Sequence, residues 1–268
     1  MNNRYLGALV LAPLVIFLFL GGEYLKYIVM VLSLLGMYEF YKVSRKKHYK
    51  PIGIVGYILC IIYYLNMGNS FLNSFNLYIL IATIFLLLCI PVINTSYNIL
   101  DVALTIFGFL YVAVFFSFIV FINNKTYGQY LVWIIFICSW VCDTSAYYSG
   151  RILGKGGKHK LCPKVSPNKT IEGSIGGLLG STIGCTIYGY IISQYGVHIE
   201  LYHYALIGIL CGVFGQFGDL IASSIKRFVG AKDYSSLIPG HGGILDRFDS
   251  ILFVSVVAFY YITFIIGI

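Results

Sequence analysis

From Tyr5 to Gly267 the chain is a succession of apolar runs separated by short polar breaks, at approximately 5–20, 24–41, 52–67, 77–93, 99–122, 129–149, 172–192, 203–223 and 248–267. A helix needs roughly 17–25 apolar residues to cross the hydrocarbon layer of a bilayer. Within lipid, each backbone N–H and C=O must find its partner inside the protein, which leaves helices as the natural solution for runs of this length. The pattern therefore predicts an all-α, polytopic integral membrane protein of about nine transmembrane helices. Composition agrees: 59% of residues are hydrophobic and only 10% charged, where soluble domains have roughly a quarter charged. The run 99–122 is long and the first and third are short, which tilt or partial insertion accommodates. The first run lacks an A-x-A-type cleavage site before Gly21-Gly22-Glu23, so it is expected to be a retained helix rather than a signal peptide.

The net charge is +8, and its distribution gives an orientation. With the N-terminus in the cytoplasm, one side holds Arg4; Lys42, Arg45, Lys46, Lys47 and Lys50; Arg151, Lys155, Lys158, Lys160, Lys164 and Lys169; and Lys226, Arg227, Lys232 and Arg247. The other side keeps only Lys26 and Lys125. Cytoplasmic loops retain Lys and Arg, and an odd number of spans is needed to keep these clusters together. The basic balance is thus read as positive-inside loops that also suit a polyanionic substrate, and not as a nucleic-acid surface. The seven cysteines contain no CxxC pair and lie mostly in apolar runs, which reads as buried packing rather than disulfides or a zinc site. His48, His159, His198 and His203 read as isolated loop or interfacial residues.

The two halves differ. Residues 1–122 form an apolar frame with few polar groups inside spans, whereas residues 123–268 concentrate Asp, Ser, Thr, Lys, Gly and His at span ends and in two loops, 150–171 and 224–247. Gly173, Gly176, Gly177, Gly180 and Gly184 give overlapping GxxxG spacings suited to close helix packing. Gly208, Gly212, Gly215 and Gly218, just before Asp219, suit either helix packing or close approach to a ligand.

Asp219 stands near the cytoplasmic end of the eighth span, where a carboxylate costs roughly 2.5–3.5 kcal/mol on insertion scales. Asp219, Ser223, Lys226 and Arg227 fall at i, i+4, i+7 and i+8 and so share a helix face. The next loop carries Lys232-Asp233, then Gly240-His241-Gly242-Gly243, then Asp246-Arg247-Phe248-Asp249. Asp246 and Asp249 either cap the last helix or converge with Asp219 as oxygen ligands for Mg²⁺, which binds through one or two carboxylates plus substrate phosphates. In the second reading Lys226, Arg227, Lys232 and Arg247 hold the remaining phosphate charge. A second cluster begins with Asp143-Thr144-Ser145-Ala146-Tyr147 at the end of the sixth span, where Tyr147 is given no role, and closes with Lys164, Ser166, Lys169, Thr170 and Glu172 at the start of the seventh. A helix N-terminus flanked by lysines is an anion site, or else a membrane anchor. No Walker A spacing is present.

The stretch Ser223-Ser224-Ile225-Lys226-Arg227, followed by Lys232-Asp233 and then His241-Gly242-Gly243-Ile244-Leu245-Asp246-Arg247-Phe248-Asp249, resembles the complete signature of the phosphatidate cytidylyltransferases, the CDP-diacylglycerol synthases. The Asp143 cluster and the run Ser166-Pro167-Asn168-Lys169-Thr170-Ile171-Glu172-Gly173 are similar to the same family. The resemblance is sharp over about 139–250 and elsewhere extends to length and hydropathy. It implies transfer of CMP from CTP to phosphatidic acid with release of pyrophosphate, Mg²⁺ dependence, and a K⁺ ion sharing the site. By position it makes Asp219 and Asp246 metal-centre carboxylates, and places Lys226, Arg227, Lys232 and His241 in the phosphate-binding region. A homodimer is implied as well.

Two polyanions must meet in such a reaction, so charge neutralisation and positioning are expected to carry the catalysis. Asp143, Asp233 and Asp249 are left open between metal binding and loop orientation. The competing readings are a CTP-dependent lipid kinase, a cytidylyltransferase for another lipid phosphate, and an ion-coupled transporter using Asp219 and Asp143. Size and the absence of an added targeting segment suggest a bacterial plasma membrane, with the site on the cytoplasmic side.

Overall fold

The computed structural model describes residues 15–68, 73–154, 159–238, 240 and 242–268, with side chains absent from the description at 73–76. The apolar runs are helices: α1 (Gly22–Ser44), α2 (Gly53–Asn66), α3 (Asn73–Ile93), α4 (Ile99–Asn123, with a π-helical stretch at Phe109–Val114), α5 (Gly128–Ile152), α6 (Ile171–Ser193), α7 (Leu201–Phe228) and α8 (Leu245–Ile266). Six of them, α1 and α4–α8, are long and apolar enough to cross a membrane. The nine spans expected are therefore not all confirmed. With 14 residues, α2 rises only about 21 Å at 1.5 Å per residue, short of the roughly 30 Å hydrocarbon core. Of the first apolar run, residues 15–20 are helical and the rest lies outside the described residues.

Small residues decide how the second half packs. Along α6, a Cβ on Gly176 would strike Ser149, one on Gly177 would meet Ala146 and Cys142, and one on Gly180 would strike Ser145. The GxxxG stripe is therefore the seam against α5, as its spacing predicts. The glycines of α7, open between packing and ligand approach in the sequence, serve packing. Gly208 and Gly212 abut Ser181 of α6, and Gly215 and Gly218 abut Val254, Phe253 and the Asp249 carbonyl of α8. Ser181 Oγ donates to the Gly208 carbonyl at 2.9 Å, and Ser139 Oγ shares a 2.7 Å hydrogen bond with Ser250 Oγ between α5 and α8. All seven cysteines are free thiols.

The polar segments collect at one end of this bundle. Lys47, just past α1, lies over the Phe228 ring at the C-terminus of α7, 4.6 Å from its centroid. Arg227 donates to the Val165 carbonyl at 3.4 Å. Part of the loop 150–171 has regular structure. It forms an antiparallel hairpin of β1 (Lys160–Cys162) and β2 (Ser166–Thr170), the one departure from an all-α fold among the described residues. The hairpin delivers the chain into α6, whose first turn is capped by Thr170 Oγ1 accepting from Gly173 N at 3.1 Å.

Candidate active site

Two adjoining cavities open at the polar end, and Asp143 lines both. The larger, about 550 Å³, lies between α5, the hairpin, α6 and α7. Its wall includes Asp143, Tyr147, Arg151, Asn168, Lys169 and Asp219. The smaller, about 220 Å³, lies between residues 15–20, α5 and α8. It has an apolar wall that includes Leu18, Phe136, Trp140 and Phe248, and a polar end of Asp143, Asp246, Arg247 and Asp249.

The four carboxylates singled out in the sequence are thus gathered around one place, held by different elements. Asp143 projects from α5 and is exposed. Asp219, from α7, forms an ion pair with Lys169 of the hairpin, both side chains about 30% exposed. It also accepts from Ser223 Oγ one helical turn on, at 3.4 Å. Asp249 turns one oxygen to its own helix, accepting from Ser250 N at 2.8 Å. The charges of Asp143, Asp219 and Asp249 act on one another, with Lys169 and Arg247 opposing them at Asp143.

Asp246 is different. Its side chain is 3% exposed and pairs with Lys226 at 2.7 Å. Its other oxygen accepts from Tyr234 N and Gly243 N, both at 2.9 Å. In this state it is the hub that closes the loop 229–245 onto α8. It does not cap α8, since the N–H groups it binds precede the helix.

Other residues of the expected site divide between holding loops and facing solvent. Arg227 ties the C-terminus of α7 to both loops, donating to Val165 O and, at 3.1 Å, to Ala231 O. The Thr170 hydroxyl is committed to its cap, and Glu172 pairs with His159 at 2.6 Å. That pairing corrects the expectation that His159 stands alone. Ser166 lies in β2 and Lys164 is exposed in the hairpin turn. Lys232, Asp233 and Arg247 are exposed. Gly242 has φ 80°, a left-handed conformation that suits glycine. His241 lies outside the described residues.

Sequence reasoning passed over Arg151 and Tyr147 as site residues. The signal was available: Asp143, Tyr147 and Arg151 stand at i, i+4 and i+8, one stripe of α5 facing the larger cavity. Arg151 Nη1 donates to Tyr147 Oη at 3.3 Å, which leaves its other donors for a ligand.

Among the described residues, no group of three or more His, Cys, Asp and Glu side chains converges as a ready-made metal cluster. The donor set nonetheless fits a hard cation. Mg²⁺ uses one or two carboxylates and draws its other oxygens from substrate phosphate and water, and the carboxylates of Asp219 and Asp246 each already face a lysine ammonium.

Fold and site define a class: a helical membrane protein that brings carboxylates and cations together at one end of its bundle, around two cavities that share Asp143. The chain belongs to the Cytidylyltransferase family, whose profile it matches over residues 2–265. It is 35% identical over 239 residues to the phosphatidate cytidylyltransferase of Staphylococcus haemolyticus (strain JCSC1435), covering 88% of this chain and 89% of that protein. The phosphatidate cytidylyltransferases of Staphylococcus saprophyticus subsp. saprophyticus and Staphylococcus aureus (strain COL) are 35% and 34% identical over 236 and 238 residues, each alignment covering 87% of this chain and 88% of the relative.

Proposed function

We propose that the chain is a CTP:phosphatidate cytidylyltransferase, which makes CDP-diacylglycerol and pyrophosphate at the cytoplasmic face of a bacterial plasma membrane. The observation that carries this reading is the pair of cavities sharing Asp143, one lined by Arg151, Lys169 and Asp219, the other by Asp246, Arg247 and Asp249 beside aromatic and aliphatic side chains. A nucleotide with three phosphates suits the larger, where Arg151 and Lys169 supply positive charge. A lipid headgroup whose tails remain in the bilayer suits the smaller, where Arg247 meets aromatic and aliphatic walls.

An oxygen of the lipid phosphate attacks the α-phosphorus of CTP, the bond from that phosphorus to the β-bridging oxygen breaks, and pyrophosphate leaves with the electron pair. The lipid phosphate is already anionic at neutral pH, so no general base is needed. The work of the chain is to hold two mutually repelling anions in line. Lys169 and Lys226 each pair with a carboxylate, and phosphate offers each ammonium an alternative partner. Asp219 and Asp246, with Asp143 and Asp249 beside them, would hold Mg²⁺, which supplies charge neutralisation of the phosphates when bound. Lys226, Arg227, Lys232 and His241 belong to the phosphate-binding region by resemblance, and Lys164 and Ser166 of the second cluster are further substrate-binding candidates.

Labelled CTP tests the reaction. Purified protein in detergent with phosphatidic acid and Mg²⁺ is expected to place α-³²P label in the lipid fraction and release γ-³²P label as pyrophosphate. A lipid kinase would instead put the γ label into lipid, and an ion-coupled transporter would leave both in CTP.

A further inference from the structure

Glu39 lies in the N-terminal half, on α1, yet its carboxylate is fully buried and every partner the structure gives it belongs to the loop that leads into α8. It accepts from Ser235 Oγ at 2.6 Å, from Ile244 N at 2.9 Å and from Leu245 N at 2.9 Å. The first N–H groups of a helix have no partner within it, and Ile244 at the N-cap of α8 offers no side-chain oxygen to them. Glu39 does that from another helix and places a negative charge at the positive end of α8. Two glycines clear the way. Gly36, one turn earlier on α1, would meet Leu245 if it carried a Cβ. A Cβ on Gly243 would come within 2.5–2.6 Å of both Glu39 oxygens.

An ionisable group at membrane depth is costly and marks function by default. The loop it holds carries Gly242 and Gly243, and ends at Asp246 and Arg247 on the wall of the smaller cavity. We infer that Glu39 is a positioning residue for the transfer reaction, fixing from the N-terminal half the height of the loop that presents Asp246 and Arg247 to the two phosphates. The inference rests on the proposed cytidylyltransferase reaction. Glu39 touches no reacting atom in it and acts through the loop.

The test uses the full chain in detergent with labelled CTP, phosphatidic acid and Mg²⁺, with rates normalised to monodisperse folded protein. Glu39→Gln keeps the shape but turns an amide NH₂ toward backbone N–H groups. It is expected to lower kcat at least 30-fold, with KM for either substrate changed less than threefold. Glu39→Asp, which keeps the charge, should recover part of that loss. Ser235→Ala removes one of the three hydrogen bonds and should lower kcat 3- to 10-fold, which keeps the inference testable if the Gln variant does not fold. A double variant separates positioning from general stability. Shortening Glu39 to Asp makes room at residue 243, so Glu39→Asp/Gly243→Ala should be more active than Gly243→Ala alone. Wild-type kcat in Glu39→Gln or in Ser235→Ala, or simply additive losses in the double variant, would overturn the inference. Absence of lipid labelling by the wild-type chain would instead overturn the proposed reaction, and shows before any variant is made.

Discussion

Replacing Asp219 with Asn separates catalysis from folding. The Asp219–Lys169 pair is open to the larger cavity, with both side chains about 30% exposed. An ion pair with that much access to water contributes about 0–1 kcal/mol, and Asn keeps the shape and one acceptor for Ser223. The thermal midpoint in detergent should therefore fall by no more than about 4 °C. Turnover behaves differently. In the proposed reaction two polyanions meet beside this carboxylate, and the variant loses one negative charge that would hold Mg²⁺ there. Removal of a single preorganised electrostatic group from an active site costs about 10²–10³ in rate, or about 2.7–4 kcal/mol. The measurement is α-³²P transfer from CTP to phosphatidic acid, scored per mole of folded protein beside a melting curve of the same sample. A rate within threefold of wild type would refute the assignment of Asp219 to the reacting centre. A loss of rate matched by collapse of the melting midpoint would refute the claim that its role is catalytic rather than structural.

Asp246→Asn should lose both properties, because its pair with Lys226 is buried and orphaning one member of such a pair costs about 3–5 kcal/mol; melting and label transfer on one sample check this. Arg151→Ala should raise KM for CTP about tenfold and leave KM for the lipid within twofold, read from the two saturation curves. Chelation with EDTA should abolish lipid labelling, and added Mg²⁺ should restore it. Cys162, half-exposed in β1, should react with a membrane-impermeant maleimide in inverted vesicles and stay unlabelled in right-side-out ones, as mass spectrometry would show.

Periodicity and charge made most of the fold legible. The spacing of Gly173, Gly176, Gly177 and Gly180 foretold the α5–α6 seam, because a glycine stripe has few uses in lipid other than close approach. Hydropathy registers that 52–67 is apolar but not that its helix stops after 14 residues, so the full number of spans is not confirmed by the helices described. The hairpin at 160–170 was illegible for the opposite reason: its strands are three and five residues long, too short to show an alternation. At the site, Asp143, Asp219, Asp246 and Asp249 stood out because carboxylates at span ends are rare. Which cation pairs with which carboxylate was hidden. The shared face of Asp219 and Lys226 suggested that they act together, whereas Lys226 reaches across to Asp246 and Asp219 takes Lys169 from a different element. Such pairings depend on the tertiary arrangement, which helical spacing alone does not encode.

The same point bears on the division of the chain into an apolar frame and a catalytic half. Hydropathy makes Glu39 one acid near the end of an early span, and nothing nearby in sequence explains it. In the fold it meets residues about 200 positions away. The first N–H groups of α8 and the loop before it therefore depend on a helix formed early in the chain, and Asp246 closes that loop from the other side through Tyr234 N and Gly243 N. Two carboxylates, one from each half, thus hold a segment whose glycines give it little stiffness of its own. α8 itself packs chiefly on α7, and the Lys226–Asp246 pair joins the same two helices. Glu39 adds a tie from α1 to the loop that precedes α8, a contact between the two halves that hydropathy does not register.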